Sequence, residues 1–597
     1  MGLSCIVVVG GRRCCTTGKG SEREEAMYNS SRMTFFVLFI FFAAALSACA
    51  PVSQSSQPVA DALKERGAKG EDARYKLEMG KERGGRLVMT SVSFGNPNDP
   101  HLVITATGRT YSVPMTNGLV KGNIYDRSYP IIQDLAKGWE VSKDGLTYTF
   151  KLEQGVKFHN VAPVNGREFT SEDAKYSLMR ITADPSVIVE KWKARYQRRL
   201  DFGDIQSIET PDKYTLVVRL KEPYAPFLDA LAHPGTQILA REFVESFPEK
   251  IILEGMIGTG PYLPVEYKNQ VMATYKKNPG YWKKDAEGNQ LPYLDELVSH
   301  YFGDDTSRLA AFRARNLDMA SASNKTQLET VTKDMPDTRV FITPSSSLNN
   351  FRFNMKFKPF QDVRVRKAIH LAVDRYQLLE LVEEGIGVPA GPVTPTYGSL
   401  ANTMDWLLSQ PGFRKDKTQD LEEAKRLMKE AGYEDGLSFQ VLVSTSQRNA
   451  DLMSLIVEQL KPLNITLKPE FVDYAGQWVP RSTQGEFELS HMSHALSTDA
   501  DAVLSPHFFT DAPRNYGKFS DAVLDDLIKK QKTAVTLEDR KKYAQEAEKR
   551  LLELVPMVFM YNPSTILLAQ PWVHNAGEGG FSGTAMYTVE NAWVEKH

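Results

Sequence analysis

The chain has 597 residues, 24% of them charged and 42% hydrophobic, and a formal net charge of −2. It is too long for one hydrophobic core and long enough for two or three domains, and its near-neutral charge without a basic block argues against nucleic acid as a partner. All four cysteines, Cys5, Cys14, Cys15 and Cys49, lie in the first 49 residues, so the remainder can hold neither a disulfide framework nor a thiolate zinc site.

Residues 1–26 carry Arg12-Arg13 and an acidic Glu22-Arg23-Glu24-Glu25, which suits no signal peptide; they are expected to be an extension ahead of the true start at Met27 or Met33. The apolar run Phe35 to Leu46 follows Arg32 and ends in Leu46-Ser47-Ala48-Cys49. It is shorter than the roughly 20 residues that span a bilayer but has the length of a secretory core. Residues 27–48 are therefore expected to be a lipoprotein signal peptide, with Cys49 as the lipidated residue and the sole membrane anchor of an exported protein. The Ser-, Gln- and Lys-rich segment 49–83 has the composition of a tether.

Beyond the tether, Leu146, Tyr148, Phe150 and Leu152 alternate with polar residues after Asp144-Gly145, and Tyr214, Leu216, Val218 and Leu220 repeat the pattern. Period-two alternation behind a turn predicts half-buried strands. Helix starts are marked by Thr170-Ser-Glu-Asp173, Asp362, Asp420 and Thr536, with stops at Gly432 and Pro556. Strands and helices in irregular order predict an α/β chain of more than one lobe. There is no Gly-x-Ser-x-Gly elbow, no His-Glu-x-x-His and no phosphate loop, Gly18-Lys19 lacking its spacing, so an enzyme is not expected.

Several phrases, in one order, carry a resemblance. Leu135 to His159 with its Trp139, Asp144-Gly145 and Phe158, Phe169-Thr-Ser-Glu-Asp173, Gly258-Thr-Gly-Pro261-Tyr262, Asn278-Pro-Gly-Tyr281-Trp282 and Pro359-Phe-Gln-Asp362-Val-Arg-Val-Arg366 are among them. Together they resemble family 5 extracellular solute-binding proteins, the dipeptide, oligopeptide and nickel-binding components of ABC importers, over roughly residues 84–597. The resemblance implies a two-lobed α/β fold of the periplasmic-binding-protein type II, large and cluster C-like. Lobe one would comprise 84–343, with an extra subdomain about 111–200, and 564–597; lobe two would comprise 344–563. It further implies capture of a peptide or peptide-like solute between closing lobes, delivery to ABC permease subunits, a monomer and no cofactor. Oligosaccharide, opine or metal-chelate binding, or a receptor that signals without import, are the alternatives.

In peptide-binding relatives a carboxylate after a Gly-x-Phe turn pairs with the peptide's α-amino group. Here the turn is Gly485-Glu-Phe487, and an ungapped count reaches Ser497, with Asp499 and Asp501 close by. A slip of one or two residues would make Asp499 the amine anchor. His491 and His494 occupy the same stretch at i, i+3, a spacing that on a helix would aim two imidazoles at one metal, with His507 near in sequence; lining of the cleft is the preferred reading. Tyr474 and Trp478, and Tyr111 and Asn117 in lobe one, complete the expected solute contacts.

Overall fold

The alternating residues form the strands they predict: Thr147–Leu152 and Thr215–Leu220 pair antiparallel with Phe150 opposite Leu216 and Tyr148 opposite Val218, all four buried. With Ala136–Val141 and Ile205–Asp212 they make a four-stranded antiparallel sheet. The computed structural model describes residues 77–91, 99–102, 111–125, 129–188, 190, 193, 196–246, 256–345, 347–393, 400–495, 499–577 and 585–595. The expected signal peptide, Cys49, the tether up to 76 and Ser497 lie outside the described residues.

Local chemistry sets the helix boundaries. The Asp173 carboxylate accepts the Thr170 N–H at 2.9 Å at the start of Ser171–Ile181. Asp362 accepts the Arg364 N–H at 2.9 Å at the head of Val363–Ala372, and the Thr536 hydroxyl accepts the Asp539 N–H at 3.0 Å before Leu537–Leu554. Asp420 differs from the expectation. Its helix, Thr418–Glu430, begins two residues earlier, and its buried carboxylate is turned to the Gly412 N–H at 2.9 Å and to Lys417 Nζ at 2.8 Å. An unsatisfied loop amide and a cation claim the side chain that spacing alone would give to the cap.

The rest of the architecture hangs on one twelve-stranded mixed sheet. Along one half run Ile465–Val472, Leu437–Ser444, Leu489–Ala495 and Ser347–Phe353; along the other run Met319–Ala322, Arg86–Ser91, Glu296–Tyr301, Met272–Lys277 and Tyr262–Lys268. The 13-residue strand Met557–Ala569 joins them. Its first part pairs with Ser347–Phe353, from Arg352 opposite Met557 to Asn349 opposite Tyr561, and its second part pairs with Arg339–Pro344 and Met319–Ala322. At the changeover stand Pro344 and Pro563, neither with an N–H to give a ladder, and the Ser345 N–H reaches the Pro563 carbonyl at 2.7 Å. Helices cover both faces of the first half: Phe351 and Phe353 pack with Val365, Ile369 and Ile456, while Leu348 packs with Leu504, Phe508 and Leu551.

The end of the chain returns to the second half. Glu590 is held between Lys121 Nζ at 2.7 Å and Lys283 Nζ at 3.1 Å, and Lys283 also meets Asp134 at 2.6 Å. Burial opposes the Glu590 charge, but the two ammonium groups outweigh it and hold its pKa well below the carboxylate range. Glu590→Gln removes the carboxylate that offsets these cations, so the urea unfolding free energy is expected to fall by about 3 kcal/mol. An unchanged midpoint would show that the pair of lysines needs no counter-charge.

Candidate functional site

The residues that sequence places near a solute fall into two groups. Tyr111 and Asn117 are built into the frame of the second sheet half. The Tyr111 ring lies 4.7 Å from Tyr267 and 5.7 Å from Tyr275, and burial raises its pKa. Asn117 donates from Nδ2 to Asp134 Oδ1 at 3.0 Å and accepts the Thr259 hydroxyl at 3.0 Å, so its amide serves the same network as Glu590.

Tyr474, Trp478, His491 and His494 belong to the first half. Tyr474–Trp478 is a single wide turn, and the two rings stack at 5.4 Å with planes 12° apart. Trp478 is sunk against Leu442, Val472 and Met492, whereas Tyr474 is 60% exposed and presents an aromatic face. His491 and His494 lie on the strand Leu489–Ala495 and not on a helix. With a period of two, residues three apart point to opposite faces, so the pair cannot share a metal as helix spacing would allow. His491 packs at 5.4 Å on the Phe351 ring; His494 Nδ1 accepts from Asn350 Nδ2 at 2.9 Å, and its ring centroid is 4.7 Å from that of His507. Among the described residues no group of three metal-ligating side chains comes together.

Burial sets the charge of these imidazoles. It lowers the pKa of His491 to about 4, helped by Arg448, and that of His494 to about 3, helped by Arg352 and Arg514. Both are neutral at pH 7. Each keeps a buried Nε2 with no hydrogen-bond partner, as do Asn350 Oδ1 and both amide atoms of Asn562 on the joining strand. Buried polar atoms are rarely left so; Asn350 and His494 adjoin each other on one face of the sheet, and His491 points to the other. Arg448, whose charge acts on His491, donates from Nε to Glu383 Oε1 at 2.9 Å.

Asp499, the expected amine anchor, is engaged within the protein. Arg540 Nη2 lies 2.6 Å from its Oδ2, and its Oδ1 accepts the Asp501 N–H at 2.8 Å at the start of the helix Asp501–Phe508. Arg540 also lies 3.6 Å from Asp229 on the helix Phe227–Ala232. Asp501 accepts the Tyr224 hydroxyl at 3.2 Å and a bond from Gln531 Nε2, and the Ala225 N–H reaches the Lys532 carbonyl at 2.8 Å. Burial opposes the charge of Arg540, and Asp499 and Asp229 outweigh it; burial and the neighbouring Asp499 together raise the pKa of Asp501.

Arg352, Asn350, Asp229 and Arg540 are the residues that sequence reading missed. A signal did exist for Arg352: in Asn350-Phe-Arg-Phe-Asn354 every side chain is buried, so an arginine alternating with phenylalanines marks a strand with a polar seam inside.

Two sheet halves joined by a shared strand, with helices packed around them, define the two-lobed α/β fold of the type II periplasmic binding proteins. The chain belongs to the bacterial extracellular solute-binding proteins, family 5, whose model matches residues 130–515. It is a solute-binding protein and not an enzyme, and the family works outside the cytoplasm. The Dipeptide-binding protein of Escherichia coli strain K12 is 29% identical over 458 residues, 73% of this chain and 82% of that one. Heme-binding protein A of Haemophilus influenzae is 28% identical over 469 residues, 75% and 79% of the two chains. The periplasmic binding protein DppA of Helicobacter pylori, solved with the peptide STSA, superposes with a TM-score of 0.71 at 24% identity, covering 86% of this chain and 99% of that one. No helix of the described residues is long and apolar enough to cross a membrane.

Two outcomes follow from the charges. His494 is neutral when folded but takes a proton near pH 6.5 when unfolded, so its contribution to stability is full above about pH 6.5 and is lost as pH falls toward 3. Between pH 6.5 and 5 this amounts to about 2 kcal/mol, and urea unfolding of His494→Gln should lose less stability over that interval than the parent by a similar amount. Asp499→Asn is expected to cost about 3 kcal/mol because it strips Arg540 of its nearest counter-charge, and Asp501→Asn distinctly less. Equal costs would contradict the division of roles between the two aspartates.

Proposed function

We propose that the chain is the lipid-anchored substrate-binding component of an ABC importer, which closes residues 84–343 with 564–597 and residues 344–563, as two lobes, upon a peptide or peptide-like solute. The observation that most supports this reading is the set of buried polar atoms without partners on Asn350, on its neighbour His494 and on Asn562 of the joining strand. A bound solute would supply the missing partners, and enclosure away from water would strengthen each contact. Tyr474, stacked on Trp478, would give an apolar wall. Ser497 and its neighbours would approach the solute, while Tyr111, Asn117 and Asp499 would hold the lobes in shape. Pro344 and Pro563 would mark the hinge, since bending there strains no ladder bond that either proline could donate. Contacts on both lobes are made only in the closed state, so the solute shifts the population toward it.

The lipid on Cys49 would anchor this monomer at the cell envelope, on the leash 49–83, and permease subunits would take the solute from it. A second reading, a solute other than a peptide, is favoured by the ion pair of Asp499 with Arg540, which takes up the carboxylate expected to meet a peptide amine. The two part on mass spectrometry of what copurifies with the processed protein. A ladder of short peptides is expected; one sugar, opine or metal chelate recovered alone would overturn the peptide reading. X-ray scattering should show the radius of gyration shrink when the recovered solute is restored to stripped protein.

A further inference from the structure

On the strand Ser347–Phe353, Leu348, Asn350 and Arg352 share one face, and His494 stands opposite Leu348 on the neighbouring strand. Arg352 is 2% exposed, and no carboxylate among the described residues pairs with it. Its guanidinium donates to the Arg514 carbonyl and, at 2.9 Å from Nη2, to His507 Nδ1; the Tyr516 ring lies 5.2 Å away, and a second cation, Arg514, acts on it. Arg352 Nε has no partner. An arginine cannot shed its proton as a lysine can, so this is a buried positive charge without an offsetting negative one.

The protons around it can be placed. Asn350 Nδ2 donates to the Leu348 carbonyl at 3.0 Å as well as to His494 Nδ1 at 2.9 Å. Turning the amide over would set two carbonyl oxygens against each other, so the nitrogen faces His494 and Nδ1 of that ring is the acceptor. The neutral His494 therefore carries its proton on Nε2, where it finds no partner. Arg352 is only a donor, so His507 Nδ1 accepts and its proton is likewise on Nε2. Two unmet buried donors, on Arg352 and His494, thus accompany an uncompensated cation. A metal ion does not suit this place, because both Nδ1 lone pairs are taken, both Nε2 atoms are protonated and two guanidinium groups repel it. An acceptor bearing negative charge satisfies every part of it.

We propose that Arg352, His494 and His507 form a buried site for an anionic group of the carboxylate class, either carried by the captured solute or present as a small free anion. The first source rests on the solute-binding reading above; the second does not. Acetate and its neutral isostere acetamide, added to the processed protein at pH 7 and matched ionic strength, test the site itself by thermal unfolding. Acetate is expected to raise the midpoint and acetamide to leave it, and the difference should vanish in Arg352→Gln. If that variant does not fold, the comparison in the parent protein still decides. The tripeptides Ala-Asp-Ala and Ala-Asn-Ala test the source by calorimetry. A preference of about tenfold or more for the aspartyl peptide assigns the site to a solute side chain. Equal affinities, or no binding of either peptide, together with an acetate response assign it to a free anion. No discrimination in either pair overturns the proposal.

Discussion

Everything in this fold depends on the backbone of Met557–Ala569, which must find partners on both of its ends. A strand of 13 residues cannot leave its amides and carbonyls unpaired inside the protein, so each end recruits a different set of strands, and one sheet becomes two halves. Asn350 lies on a strand paired with this join, its neighbour His494 one strand further, and Asn562 on the joining strand itself. Helices cover both faces of the first half, so apolar packing alone could have filled the same space. Polar atoms kept there without partners fit a protein whose task is to exchange one set of contacts for another when a solute arrives.

The charge pattern divides along the same lines. Glu590 with Lys121 and Lys283, and Asp499 with Arg540 and Asp229, are ion clusters in which every charge has an opposite one within 4 Å. They fix elements against each other: the returning chain end in the first case, and the helices Phe227–Ala232 and Leu537–Leu554 in the second. Arg352 stands outside this rule. Its neighbours are neutral rings, a carbonyl and another arginine, and the contrast with the satisfied clusters is what singles it out.

Much of the framework was legible in the residues because it rests on local rules. The alternation at Leu146 to Leu152, the caps at Asp362 and Thr536 and the stop at Gly432 each depend on a handful of neighbours. Asp420 was misplaced because its partners, Gly412 and Lys417, come from outside its helix. The site was less legible for the same reason. His491 and His494 were found, but their spacing says nothing of strand or helix, and only the strand reveals that they serve opposite faces. Arg540 is 41 residues from Asp499 and over 300 from Asp229, and no local pattern announces such a triad.

The position of the joining strand in the chain has a consequence for how the protein is made. Met557–Ala569 lies within the last 41 of 597 residues, yet both sheet halves need it to complete their ladders. Both halves therefore wait on a segment that is made after every other strand of the sheet. One late segment thus ties the completion of both halves to a single event.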